Sequence, residues 1–311
     1  MSVVNQFSLN SEVDGLALSV CTVLPEGKPR GLVQFAHGMA EHKMRYLPFM
    51  QFLADHGYAC IINDHRGHGG SVRSKDDLGY FYAGGACALV EDLHQLTLWF
   101  KGQYPGIPLI LFGHSMGSLA VRVYRQRYDG DIDALVVCGS PGRNPAAGAG
   151  LLLNRLMTLF KGERYISRMF VNMTTGAFSK AHPSPDTPNA WLSTNQDNVQ
   201  RYDADPLCGF PFTLNGYRAL LELMRDAYAA VPAAHPELPI HFISGAQDPC
   251  APDEKGFEDA VGNLRSAGYT RVSSKLYPGM RHEILNHAEH QLVYDDLLRL
   301  FDGWVRPAGA R

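Results

Sequence analysis

The feature that most constrains this 311-residue chain is an alternation of short apolar runs with helical spacing. Residues 31–36 run into His37-Gly38, 58–62 into Asp64, 107–112 into Gly113, and 134–138 into Gly139-Ser140-Pro141; 239–244 and 272–277 complete the series. Apolar runs this short, bounded by such turns, read as buried strands. Alternating with helices, they build a mostly parallel sheet. Helices are predicted around 47–56, 86–103, 117–128, 254–267 and 285–306. In 86–103, Ala88, Leu89, Leu93, Leu96 and Phe100 fall at the spacing of a helix covering a sheet. Residues 15–24 read as an antiparallel strand near the start.

The alternation breaks at 142–235, which holds apolar helical stretches and a proline-rich piece at 183–188 but no strand signal. The expected organisation is therefore an α/β core from 1–141 and 236–311, with 142–235 inserted as a helical cap. Such a cap would lie over the C-terminal edge of the sheet, where open α/β folds bind ligands.

Composition narrows the function classes. Hydrophobic residues make up 45% and charged residues 19%, with a net charge of −3, as in an ordinary soluble globular protein. With no basic stripe, a nucleic-acid partner is not expected. The six cysteines form no CxxC pair and read as free thiols of a reducing compartment. No signal-peptide pattern and no run of membrane-spanning length appears, so the expected location is cytoplasmic. The oligomeric state is left open.

Gly113-His114-Ser115-Met116-Gly117 matches G-x-S-x-G. A strand runs into it and a helix runs out of it, the context of a nucleophile elbow in the α/β-hydrolase fold. Ser115 is the candidate nucleophile. Serine needs a base to take its proton, and the base needs a carboxylate to fix its tautomer. In this fold the order is Ser, acid, His. Asp248 and His282 each follow a late strand and fit those roles. Asp253 is read as the N-terminal carboxylate of the next helix, and His287 and His290 as members of the final helix. The Met116 N–H, at a helix start, and the Met39 N–H, in the loop after the first parallel strand, are the candidate oxyanion donors. His37 reads as a brace of that loop, and Asp64-His65-Arg66-Gly67-His68-Gly69 as scaffold. A zinc reading fails on spacing: His282-Glu283-Ile284-Leu285-Asn286 ends in Asn where H-E-x-x-H needs His. No metal is expected.

Together, HGMAEHKMRY at 37–46, DHRGHGGS at 64–71, GHSMGS at 113–118 and YPGMRHEILN at 277–286 resemble the monoacylglycerol lipase and lysophospholipase group of α/β-hydrolases, a serine aminopeptidase S33-like family. WLSTNQDNVQRYDADPLCG at 191–209 is similar to the cap of bacterial members. The resemblance implies an esterase acting on small-molecule acyl esters or single-chain lipids, with a mobile cap and no cofactor. It also implies that Glu41 and Arg45 hold the first loop or the substrate's polar head. Two positions depart from the pattern. Ser118 replaces a glycine, and Leu285 stands where well-known monoacylglycerol lipases place a further histidine near the glycerol. Leu285 is thus a third candidate substrate contact, and the resemblance does not fix a monoacylglycerol preference. The apolar cap stretch 151–160 is a candidate for an acyl channel or for transient membrane-surface contact. Cys250, two residues after Asp248, is a candidate oxidation-sensitive thiol. An aminopeptidase on the same triad, with Asp203, Asp205 or Glu222 holding a free amine, stays open, as does a binding protein that kept the pocket. Epoxide or haloalkane hydrolysis is disfavoured because the elbow carries Ser, not Asp.

Overall fold

A computed structural model describes residues 2–251 and 254–305. Eight strands form one sheet: β1 (Val3–Asn10), β2 (Ala17–Leu24), β3 (Gly31–Ala36), β4 (Tyr58–Asn63), β5 (Leu109–His114), β6 (Ala134–Cys138), β7 (Ile240–Gly245) and β8 (Val272–Tyr277). Their order is β1-β2-β4-β3-β5-β6-β7-β8. The β1–β2 and β2–β4 pairs are antiparallel, and all others are parallel. The helices are α1 (Leu47–Asp55), α2 (Gly85–Gln103), α3 (Met116–Tyr128), α4 (Ala147–Lys161), α5 (Arg168–Met173), α6 (Thr175–Ala181), α7 (Gln196–Ala204), α8 (Leu214–Asp226), α9 (Glu254–Ser266) and α10 (His290–Val305).

The central strands are largely apolar because both faces are covered. In β5, Leu109 and Leu111 enter one core while Ile110 and Phe112 enter the other. The first core packs under α2, α3, α8 and α9, with Leu89, Leu119, Leu223 and Val261; the second packs under α1 and α10, with Phe49, Leu53, Val293 and Leu297. The register aligns the strand ends: Ala36 sits opposite Gly113, His114 opposite Cys138, and Gly245 opposite Tyr277. The loops that follow β3, β5, β6, β7 and β8 therefore emerge along one edge.

Two expectations change. Strand β1 was not read from sequence: VVNQFSLN is an edge strand, largely exposed, whose apolar residues form no run. The last helix begins at His290, with a 3₁₀ turn at Ile284–Asn286 before it, so His287 lies outside the helix. Asp253 lies outside the described residues. Between the neighbouring strands β6 and β7, residues 142–235 carry α4 to α8, with no strand among the described residues. Near the end of this segment, α8 packs on α4 and also on α2 and α3 of the core. Among the described residues, no helix is long and apolar enough to cross a membrane.

Candidate active site

The nucleophile turn is strained for a reason visible in its neighbours. Ser115 has φ 54° and ψ −118°, a region non-glycine residues rarely occupy. The strand-to-helix turn is tight enough that a Cβ on Gly117 would lie 2.1 Å from the Ala36 carbonyl oxygen. One on Gly113 would lie 2.5 Å from the Gly117 oxygen. Only glycine fits at either place. The Ser115 N–H donates to the Cys138 carbonyl (2.9 Å), and the buried Ser118 hydroxyl donates to the Ser115 carbonyl (2.5 Å). The serine that departs from the family pattern thus ties down the elbow.

Asp248 and His282, from the loops after β7 and β8, meet with His282 Nδ1 at 2.9 and 3.0 Å from the two carboxylate oxygens. Both are buried. Burial pushes the Asp248 carboxyl up. The charge of His282, with hydrogen bonds from His282, the Ser244 hydroxyl and the Cys250 N–H, outweighs this and holds the carboxyl below its usual range. Burial pushes His282 down, but the Asp248 carboxylate outweighs it and raises the imidazole above the ordinary histidine value. The Trp191 ring lies 5.0 Å from His282, and the Cys250 sulfur lies 3.9 Å from its Nε2. Ser115 and His282 line one cavity. Among the described residues no hydrogen bond joins them, and such bonds commonly tighten only when substrate is bound.

The first loop is organised by neutral histidines. The His65 N–H donates to His37 Nε2 (2.8 Å), so the His37 proton sits on Nδ1 and is given to the Gly38 carbonyl (2.8 Å). The Ala40 N–H donates to His68 Nε2 (3.2 Å), whose Nδ1–H reaches the Arg66 carbonyl (3.1 Å). Burial pushes His37 well below the ordinary value, His65 to about 3 and His68 to about 4. The Gly38 N–H is taken by Glu41 Oε1 at 2.6 Å. With the N–H groups on either side engaged and the Gly38 carbonyl drawn to His37, the trans peptide turns the Met39 N–H the opposite way. Met39 lines the cavity beside Ser115. Met116 opens α3, where a first-turn N–H has no helical partner.

Glu41 and Arg45 are saturated by protein contacts. Glu41 also accepts from Tyr46 (2.9 Å) and pairs with Arg45 (3.2 Å), while His114 lies between it and the His282 carbonyl. Arg45 binds both Glu283 oxygens and the Asn198 amide, and its guanidinium lies over the Tyr202 ring. Burial pushes the Glu41 carboxyl up, but the His114 hydrogen bond and the Arg45 charge hold it well below its usual range. Burial opposes the Arg45 charge, but Glu283 reverses this and raises the guanidinium well above its ordinary value. Glu283 and His114 are contributors that sequence did not single out. Each adjoins a candidate triad residue, Ser115 or His282, the only signal that would have marked it. Arg45 and Leu285 do not reach the large cavity. They border a crevice of about 10 Å³, space for a water at most, and Leu285 packs in the core under α10.

The cavity measures about 680 Å³ and runs from Ser115 to α5 and α6. A second, strongly apolar space of about 120 Å³ adjoins Ser115, lined by Met116, Phe170, Leu220, Leu221, Met224 and Cys250. Residues 190–209 are stitched to both catalytic loops. Tyr202 and the Gly209 N–H donate to the Ala40 carbonyl, and Asp205 pairs with His42. The Glu283 N–H donates to the Leu192 carbonyl, and Arg281 to that of Ala190. Two side-chain groups carry metal-ligating donors within 4.8 Å of one another: His42, Asp205 and Cys208, and Asp248, Cys250 and His282. In each, the histidine and the carboxylate already bind one another. All six cysteines are unpaired.

This sheet, with a serine elbow and loops gathered at its C-terminal edge, defines an α/β-hydrolase. The chain belongs to the serine aminopeptidase S33 family, whose model matches residues 27–289. It is 30% identical over 292 residues to the monoacylglycerol lipase of Mycolicibacterium smegmatis, covering 92% of each chain. It is 27% identical over 290 residues to the mouse monoglyceride lipase, covering 90% of this chain and 84% of that one. A thermostable carboxyl esterase from Bacillus coagulans, solved with glycerol, superposes with a TM-score of 0.89 at 28% identity, over 98% of this chain and all of that one.

Proposed function

We propose that this protein hydrolyses carboxylic esters of single acyl chains through an acyl-enzyme intermediate, with segment 142–235 as a cap over the site. The observation that carries the reading is that a strained Ser115 and His282, the latter held by Asp248, line one cavity. His282 takes the Ser115 proton as the hydroxyl attacks the ester carbonyl, and returns it to the leaving alcohol. Asp248 stabilises the imidazolium formed in between. The Met39 and Met116 N–H groups receive the oxyanion. Water then repeats the sequence to release the acid. The lipase and esterase activities named for the relatives support the same chemistry.

An aminopeptidase needs a free carboxylate facing the substrate amine. The acids bordering the cavity, Glu41 and Glu283, are both paired with Arg45. Asp203 binds Asn189, Asp205 binds His42, and Glu222 does not border the cavity among the described residues. Ester hydrolysis is therefore favoured.

A fluorophosphonate probe should label Ser115 and no other residue. Ser115→Ala should abolish labelling and lower p-nitrophenyl butyrate turnover by about 10³-fold or more while leaving the melting temperature unchanged. Labelling at a different peptide, or an active alanine variant, would refute the mechanism.

A further inference from the structure

The cavity is electrically asymmetric. Of the charged side chains bordering it, Glu41 and Glu283 share one cation, Arg45, and His282 is paired with Asp248. Arg168, at the start of α5, has no charged partner among the described residues. It opens a polar line along α5 and α6. Asn172, Thr175 and Ser179 follow at intervals of four, three and four residues and border the same cavity. Among the described residues the apolar space beside Ser115 borders no charged side chain, and the polar ones that line it besides Ser115 are Asn144, Thr174, Tyr217 and Cys250. The two spaces beside the nucleophile thus differ: the smaller is almost wholly apolar and suits an acyl chain, while the larger, whose walls are also largely apolar, adds a polar line that suits a polar head.

The surrounding chain has the same sign. Residues 142–182 contain six cations, Arg168 among them, and one acid, Glu163. This stretch is net +5 in a protein of net −3 overall.

We propose that the preferred substrate is a single-chain acyl ester with an anionic head group, a phosphate or a carboxylate, which Arg168 receives in the large cavity while the acyl chain enters the apolar space. This rests on the ester-hydrolase reading above. Guanidinium binds either anion through two parallel N–H donors, whereas a neutral glycerol head leaves it unpaired.

The test compares esters with one short acyl chain, kept below micelle-forming concentrations so that attraction to an interface is not measured. The substrates are octanoylglycerol, octanoylglycerol phosphate and the octanoyl ester of glyceric acid, with p-nitrophenyl butyrate as the reference. The wild type should show a higher kcat/KM for an anionic ester than for octanoylglycerol, mainly through KM. That ratio should fall about tenfold in Arg168→Ala, invert in Arg168→Glu and be partly kept in Arg168→Lys. The phosphate and carboxylate arms show which anion is bound. A wild-type ratio at or below one, or a ratio unmoved in Arg168→Ala, overturns the proposal. If the wild type hydrolyses p-nitrophenyl butyrate while the ratio stays flat, only this inference fails. If it hydrolyses none of the esters, the ester-hydrolase reading fails and this inference falls with it.

Discussion

At the scale of single residues, the proposed base should carry its environment into the kinetics. The Asp248 carboxylate raises His282, and only the neutral imidazole can accept the Ser115 proton. Lowering the pH protonates His282 and removes the base, so kcat/KM should rise with pH through an apparent pKa above the ordinary histidine value. Asp248→Asn removes the cause of the shift. Its acid limb should move to lower pH, and kcat should fall about 10³- to 10⁴-fold as the tautomer is lost. A pH–rate profile of both proteins checks this; an acid limb unmoved in the variant would exclude the pair as its origin. Ser115, Asp248 and His282 could be proposed from sequence because each follows a strand in a fixed order. Of the two roles the resemblance implied for Arg45, its pairing with Glu41 fits holding the first loop, and neither it nor Leu285 borders the large cavity, because sequence adjacency does not say which way a loop residue turns. The bidentate partner of Arg45, Glu283, lies 238 positions away. Ser118 was read as a mild departure and proves to bind the elbow carbonyl.

At the scale of elements, α4 is the feature least explained by packing. Leu152, Leu153, Leu156, Leu159 and Phe160 are exposed, Leu159 and Phe160 at 79% and 84%. Exposed lysine and arginine at Lys161, Arg155 and Arg164 flank them. An apolar face with basic edges has the composition of a helix that lies in a lipid interface. Replacing Leu159 and Phe160 by aspartate should lower co-sedimentation with phosphatidylglycerol-rich vesicles at least about tenfold with the melting temperature held, since each side chain contributes roughly 1.5–3 kcal/mol when buried. Equal sedimentation of variant and parent would remove α4 from any membrane contact. The apolar stretch itself was legible in sequence. Its exposure was not, because hydrophobic spacing marks a face without naming what covers it. Strand β1 failed to register for the opposite reason: an edge strand needs neither an apolar run nor a second buried face.

At the scale of the whole molecule, remote segments depend on one another through buried polar groups. Arg66, fully buried, binds Asp92 on α2 (2.9 Å), Asp14 and Ser11 near the N-terminus, and the Phe81 and Ala83 carbonyls. Arg66→Ala would strand the Asp92 carboxylate in the core and should cost about 3–5 kcal/mol of stability. Urea unfolding measures this, and a loss below about 1 kcal/mol would show that water replaces the guanidinium. The mostly parallel sheet followed from the alternation of runs, but such cross-links could not, since they join positions tens to hundreds of residues apart. The stitching of residues 190–209 bears on recombination between relatives. A graft exchanging all of 142–235 would import foreign neighbours for Ala40, Arg45 and Glu283, together with the α8 face that packs on α2 and α3. An exchange confined to α4 through α6 keeps those neighbours native, so on the substrate reading proposed above it should rewrite selectivity while the loops that bear Ser115, Asp248 and His282 are inherited intact.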